Sequence, residues 1–132
     1  MKEVIAVIRM NKMQDTKRAI TEAGFSAFTV RKVTGRGQGL VDFRVVQLAQ
    51  SNDTEALEML AGGPRLIPKR MLSVVVPESR VELLVQTLIA ANQTGSPGDG
   101  KIFVLPVRNA IRVRTGERGP EALSDEWSEW SE

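Results

Sequence analysis

Three groups of residues carry whatever chemistry this sequence can do. The stretch Thr94-Gly-Ser-Pro-Gly-Asp-Gly-Lys101 sets three glycines beside one lysine. Gly95, Gly98 and Gly100 allow backbone N–H groups to turn inward toward an anion, and Lys101 adds a compact positive charge. Arg112 and Arg114 are one residue apart. In a strand they would project from one face as two guanidinium forks, suited to a polyphosphate or a carboxylate. Lys69 and Arg70 close a long polar connection and can face an anion or water. Each group also has a plain reading: a simple turn for the glycines, a solvated edge strand for the arginines.

Other chemistry is excluded by what is missing. The chain has no His and no Cys, so thiol nucleophiles, disulfides, imidazole acid–base catalysis and zinc sites of the usual N/S type are absent. The Gly-rich stretch is not a Walker A loop. Ile102 follows Lys101, leaving no hydroxyl for Mg²⁺, and the stretch opens a strand where a P-loop opens a helix. Charge is asymmetric: residues 1–120 carry 18 basic and 11 acidic side chains, a net of +7, and the last twelve carry five acidic ones. A basic body suits a polyanionic partner, nucleic acid or nucleotide phosphates, and is equally a mild solvated excess.

The elements that must position these groups follow from periodicity. Residues 4–9 form a near-continuous apolar run, expected as a strand covered on both faces. Asn11 with Gln14 has capping-box spacing, Met13, Thr16, Ile20 and Ala23 follow at helical spacing, and Gly24 supplies a left-handed stop. Residues 27–33 return to strand composition. The unit then repeats: a strand over 70–76 closed by Pro77, a capping box at Ser79 and Glu82, and a helix with Val81, Leu84, Val85, Leu88 and Ile89 inward. A strand over 101–107 ends it, with Pro106 marking an edge. Two β-α-β units in tandem predict an α+β fold, a ferredoxin-like sandwich with helices on one face of four strands. The long connection between the halves holds a short helical candidate, Thr54–Leu60. The tail 118–132, with Trp127 and Trp130, is acidic and expected to be flexible.

Taken together, Gln93-Thr-Gly-Ser-Pro-Gly-Asp-Gly-Lys-Ile-Phe-Val104 and Ile111-Arg-Val-Arg-Thr-Gly-Glu117 resemble the PII signal-transduction family. Gly35-Arg-Gly37 and Ile67-Pro-Lys69 support the resemblance, which spans residues 1–117. It implies a trimeric protein with a long T-loop over about 35–69 and nucleotide sites between subunits. By resemblance, Gly98, Asp99, Gly100 and Lys101 wrap the phosphates of ATP or ADP, and Arg112 and Arg114 reach them across the subunit boundary. Val7, Thr29, Gly35, Gly37, Val75 and Phe103 match positions lining the nucleotide site or the loop base. Lys69 would hold 2-oxoglutarate beside Mg-ATP, and Gln38 would be the metal-chelating glutamine, displaced by a one-residue deletion from the family's Gly-x-Gly-x-Gln-x-Gly pattern. Ser73 stands where a Glu is frequent. With no Tyr anywhere, tyrosine uridylylation is impossible.

The enlarged loop and the start Met-Lys-Glu-Val-Ile-Ala look most like the second of the paired PII-like proteins that switch off nitrogenase in methanogens and some anaerobes. The function implied is a sensor of nitrogen and energy status, not an enzyme. It would bind ATP or ADP, Mg²⁺ and 2-oxoglutarate, and act on a nitrogenase component as a homotrimer or a mixed trimer with a paralogue. One alternative is a general regulator of an ammonium transporter or nitrogen-assimilation enzyme. Another is a ferredoxin-like RNA-binding module, disfavoured because only Phe28 and Phe103 are candidate sheet aromatics. No run approaches the ~20 apolar residues that span a bilayer. The expected setting is therefore cytoplasmic, without membrane insertion or nucleic acid.

Overall fold

Val4, Ala6 and Ile8 alternate with Ile5 and Val7, a period of two that lays Lys2–Arg9 down as strand β1 with the even positions fully buried. A computed structural model of the chain describes residues 1–36 and 66–124. Helix α1 (Met13–Glu22), strand β2 (Thr29–Gly35), strand β3 (Ile67–Val76), helix α2 (Val81–Asn92), strand β4 (Lys101–Pro106) and a short helix α3 (Glu121–Ser124) follow. The four strands form one antiparallel sheet in the order β2-β3-β1-β4. With α1 after β1 and α2 after β3, this is the ferredoxin-like double β-α-β arrangement.

One sheet face and the two helices make the core. Val4, Ala6 and Ile8 of β1 and Leu72, Val74 and Val76 of β3 meet Met13 and Ile20 of α1 and Leu84 and Leu88 of α2. Between the helices lies one buried polar contact. Asn92 Nδ2 donates to Thr16 Oγ1 at 3.1 Å and to the Leu88 carbonyl at 3.0 Å, while the Thr16 hydroxyl donates to the Lys12 carbonyl at 2.6 Å. Asn92 therefore takes the last turn of the inward face, and Ile89, expected inward, is 37% exposed.

Among the described residues no helix lies over the opposite sheet face. It carries Ile5, Val7, Met71, Val75, Phe103 and Leu105, with Phe103 50% and Leu105 40% exposed. Among the described residues the first strand is thus covered on one face, not on both. On this open face the Ser73 hydroxyl donates to Glu3 Oε2 at 2.7 Å.

Neither expected capping box forms. Asn11 lies inside a single 3₁₀ turn, Met10–Lys12, and Ser79 inside another, Glu78–Arg80; neither helix has a side-chain cap. In both, the first residue of the α-helix donates its N–H to the carbonyl three back, so the tight turn displaces the cap. Gly24 does end α1 at φ +97°, and the Arg80 guanidinium closes that end. It stacks 4.5 Å from the Phe25 ring centroid and donates to the Ala23 carbonyl at 3.2 Å. Pro106 sits on the edge strand as expected. Among the described residues no helix is long and apolar enough to cross a membrane. The helical candidate at 54–60 and the tryptophans at 127 and 130 lie outside the described residues.

Candidate functional site

The Gly-rich turn is built around one carboxylate. Asp99 accepts the N–H groups of Thr94 at 2.7 Å and Gly95 at 2.9 Å, as well as the Thr94 hydroxyl and Arg9 Nη2 at 3.2 Å. Thr94, first through its hydroxyl and then through its N–H, holds the Asp99 carboxyl well below the usual carboxylate range; Gly95 and Arg9 add to this. The Ser96 N–H donates to Thr94 Oγ1 at 3.3 Å. The Asp99 side chain is therefore engaged in shaping the turn. At Gly100 (φ +115°) the turn crosses β1 so closely that a Cβ would sit 2.0 Å from the Val7 carbonyl oxygen. No other residue fits there.

Two cations grip the turn from the sheet. Arg9 of β1 and Lys69 of β3 are register partners at one end of the open face. Arg9 Nη2 donates to the Pro97 carbonyl at 2.8 Å, and Lys69 Nζ to the Gly98 carbonyl at 2.8 Å. Like charges set directly opposite on a ladder repel. Here successive carbonyls of the turn and the Asp99 carboxylate offset that repulsion. Lys101, opposite Val7 on the same face, adds a third positive charge. The result is a basic cluster in which Arg9 and Lys69 are bonded to the glycine-rich turn and Lys101 lies beside them.

The other expected site residues are distributed by the sheet register. Val7, Lys69, Gly98, Asp99, Gly100 and Lys101 gather at this end. Thr29 and Phe103 lie in one row across the sheet, Thr29–Ser73–Ile5–Phe103, at its two outer strands. With strands about 4.8 Å apart, they are roughly 14 Å from each other. Val75 is a row further, opposite Glu3. Gly35 ends β2 opposite Ile67 at the root of the long connection, and a Cβ there would meet nothing within 4 Å. Nothing among the described residues keeps that position small. Gly37 and Gln38 lie outside the described residues. Among the described residues no group of three or more acidic, His or Cys side chains is placed to hold a metal ion.

The arginine pair departs from expectation. Residues 111–118 are not a strand with two forks on one face. They form a tight turn closed by the bridge Ile111–Arg118, with the Arg112 N–H on the Glu117 carbonyl at 2.9 Å and the Gly116 N–H on the Arg112 carbonyl at 2.7 Å. The turn wins because Gly116 (φ +76°) supplies the left-handed residue it needs. Arg112 is only 6% exposed. Its Nη1 pairs with Glu117 Oε1 at 3.1 Å, and its Nη2 donates to the Glu121 carbonyl at 3.1 Å. Arg114 is exposed at the tip beside Val113, which is 98% exposed. The first part of the expected flexible tail is also ordered here: α3 buries Ala122 and supplies the Glu121 carbonyl.

A cleft of about 400 Å³ runs between α2 and the outer edge of β4, lined by Val85, Leu88, Ile89, Ile102 and Val104, with Gly100 at its mouth. Its lining is mostly apolar, but Asn92, Gln93, Asp99 and Lys101 also border it, so the cleft adjoins the cation cluster. Arg9, Thr94 and Glu117 are the contributors that sequence reading passes over. Arg9 was detectable as a cation in phase with Val7 on an otherwise apolar strand. Thr94 has no signal beyond being a polar residue in a glycine-rich turn, and Asp99, expected at the phosphates, shapes that turn instead.

The family model for nitrogen regulatory protein P-II matches residues 1–117. The nitrogen fixation nifHD region GlnB-like protein 2 of Methanobacterium ivanovii is 45% identical over 124 residues, covering 93% of this chain and 99% of that protein. The protein of the same description from Methanococcus maripaludis is 42% identical over 123 residues, covering 93% and 100%. The nitrogen regulatory protein P-II of Nostoc punctiforme is 37% identical over 123 residues, again covering 93% and 100%.

Proposed function

Because the chain belongs to the nitrogen regulatory protein P-II family, we propose that it is a sensor of nitrogen and energy status. It binds ATP or ADP, with Mg²⁺ and 2-oxoglutarate, at the root of its long loop, and it regulates a target protein through that loop. The target is a component of nitrogenase; support comes from relatives described as nitrogen fixation nifHD region proteins. The chain's output is a binding state, not a turned-over product.

The observation that carries the ligand reading is the cation cluster, Arg9 and Lys69 paired across a ladder with Lys101 beside them. The turn's carbonyls and Asp99 meet part of this positive charge within the chain, and a polyphosphate lying against the turn suits the remainder. Gly98–Lys101 would hold the phosphates, Lys69 a carboxylate of 2-oxoglutarate, and Gln38 a metal ion whose remaining ligands are phosphate and carboxylate oxygens. The vacancy at Gly35 leaves room for a ligand to lie against the backbone. Thr29 and Phe103, distant within one chain, would meet at one site only when contributed by different copies. This favours a trimer, homomeric or mixed with a paralogue, assembled through the open sheet face.

Ligands act by biasing the loop between a target-binding and a released conformation. Reversal of that balance from 1:99 to 99:1 needs about 5.5 kcal/mol of differential binding. A few charge-assisted hydrogen bonds to a dicarboxylate and a metal reach that order. Titration calorimetry with Mg-ATP, with and without 2-oxoglutarate, tests the reading. Binding of 2-oxoglutarate only in the presence of Mg-ATP is expected. Mg-ATP binding without a 2-oxoglutarate response would reduce the protein to an adenylate sensor, and no binding of either would overturn the ligand reading.

A further inference from the structure

Glu3 is a carboxylate in apolar surroundings. On the open sheet face it lies opposite Val75 on one side and Leu105 on the other, with Ile5 next to it along its own strand. It is half-buried, and the Ser73 hydroxyl donates to its Oε2 at 2.7 Å. Among the described residues no cation pairs with it. A carboxylate has about four lone-pair sites, so one hydroxyl leaves most of its acceptor capacity open. The Ser73 proton is committed to this bond, and the pair therefore presents acceptors only. In the proposed assembly this face is covered, and a covered carboxylate short of donors is costly. Glu3 thus calls for a donor from outside its own chain.

The rest of the face says which donor fits. Thr29 lies opposite Ser73 and Val75 opposite Glu3, so two of the expected nucleotide contacts adjoin the carboxylate. The cations Arg9, Lys69 and Lys101 stand at the other end of the face. Ser73 is four residues along β3 from Lys69, a distance of about 13 Å. A polyphosphate is drawn to the cation end and repelled from Glu3. Charge therefore lays a nucleotide with its phosphates toward the cations and its base toward Glu3. In a ring of copies whose cation ends lie together, the same polarity holds for a site shared between neighbours. The base that suits an acceptor pair among Ile5, Val75 and Leu105 is apolar on its faces and carries an amine at its edge. Adenine has its N6 amine there, whereas guanine has a carbonyl.

We propose that Glu3, held in place by Ser73, reads the base of the nucleotide: its carboxylate accepts an N–H of the exocyclic amine and selects adenine over a base with a carbonyl at that position. This role rests on the nucleotide-sensor reading and adds to it a residue and a specificity. Rejection of the wrong base matters as much as the bond to the right one. A carbonyl set against this pair brings acceptors together and leaves them unmet. The same negative charge disfavours a nucleotide bound in reverse, with its phosphates at Glu3.

Mg-ATP and Mg-ITP (inosine triphosphate) share their phosphates and differ at the reading position by amine against carbonyl, so the ratio of their affinities isolates it. The experiment is calorimetric titration of the full chain with each nucleotide, for wild type, Glu3→Gln and Ser73→Ala. Wild type is expected to bind Mg-ATP about tenfold more tightly than Mg-ITP. Glu3→Gln, whose amide both donates and accepts, should bring the ratio to about one, with weaker Mg-ATP and unchanged or tighter Mg-ITP binding. Ser73→Ala should lower the ratio part of the way, since the carboxylate stays but loses its hold. An unchanged ratio in Glu3→Gln would overturn the proposal. Equal losses for both nucleotides would overturn it as well, because they mark a contact within the assembly and not with the base. A wild type that binds both nucleotides equally would also rule out base reading by Glu3 and leave the sensor reading standing. Absence of Mg-ATP binding by wild type would overturn the sensor reading itself, and the role of Glu3 with it.

Discussion

A Cβ on Gly100 would collide with the Val7 carbonyl oxygen, whereas one on Gly35 would meet open space. The two glycines therefore answer to different demands, and substitution by alanine separates them. Gly100→Ala is expected to lose about 3 kcal/mol of stability, measured as a lowered urea midpoint. Gly35→Ala should leave stability unchanged or raise it by about 0.5 kcal/mol, because the unfolded chain loses freedom. Its Mg-ATP affinity should fall by about tenfold, the mark of a position kept small for a ligand. Asp99 gives a pH test. Its folded-state pKa is depressed, so its contribution is full above the unfolded value of about 3.9 and is lost as pH falls below that toward the folded value. Amide protection at Thr94 and Gly95 should hold from pH 7 down to about 4, while Asp99→Asn should lose it throughout. The glycine pattern of this turn was legible in the sequence. Its anchor, Arg9, was not, because the two are 90 positions apart and only the ladder between β1 and β3 brings them together.

At the scale of elements, the strands and helices followed from periodicity because apolar alternation and burial have the same cause. Val4, Ala6, Ile8, Leu72, Val74 and Val76 are both the pattern and the core. Helix entries were less legible, since a capping box and a 3₁₀ turn compete for the same N–H groups and the sequence of Asn11 or Ser79 does not rank them. The turn at 111–118 was missed for a similar reason: Arg-Val-Arg has strand propensity, but Gly116 and the Arg112–Glu117 pair outweigh it. Between α1 and α2, the Thr16–Asn92 contact should behave as a coupled pair. Asn92→Leu leaves Thr16 with a buried acceptor unmet and should cost about 2 kcal/mol, whereas adding Thr16→Val should recover much of it. A double-mutant cycle by chemical denaturation measures this; additive effects would show that the contact contributes nothing of its own.

For the whole molecule, the decisive feature is a sheet with one bare face. Ile5, Phe103, Leu105 and Val75 lie on it with no helix above them among the described residues, and an apolar face of this kind suits the proposed contact with another chain. On the proposed trimer, Phe103→Glu is expected to give monomers in sedimentation velocity and to abolish the proposed Mg-ATP binding with it. A monomeric variant that still binds at wild-type affinity would place the nucleotide site within one subunit. Sequence alone supplied the family and the fold for this level. It could not show which expected site residues share one chain's surface, because that depends on strand register: Thr29 and Phe103 fall on opposite outer strands of a single row.

The ladder pair Gly35–Ile67 closes the base of the long connection with two strands already in register. The ends of that connection are therefore fixed at neighbouring points, whatever lies between them. For a flexible segment, doubling the length between fixed ends costs only about 0.6 kcal/mol. A change in the length of that connection therefore carries little thermodynamic risk to the sheet that holds its two ends.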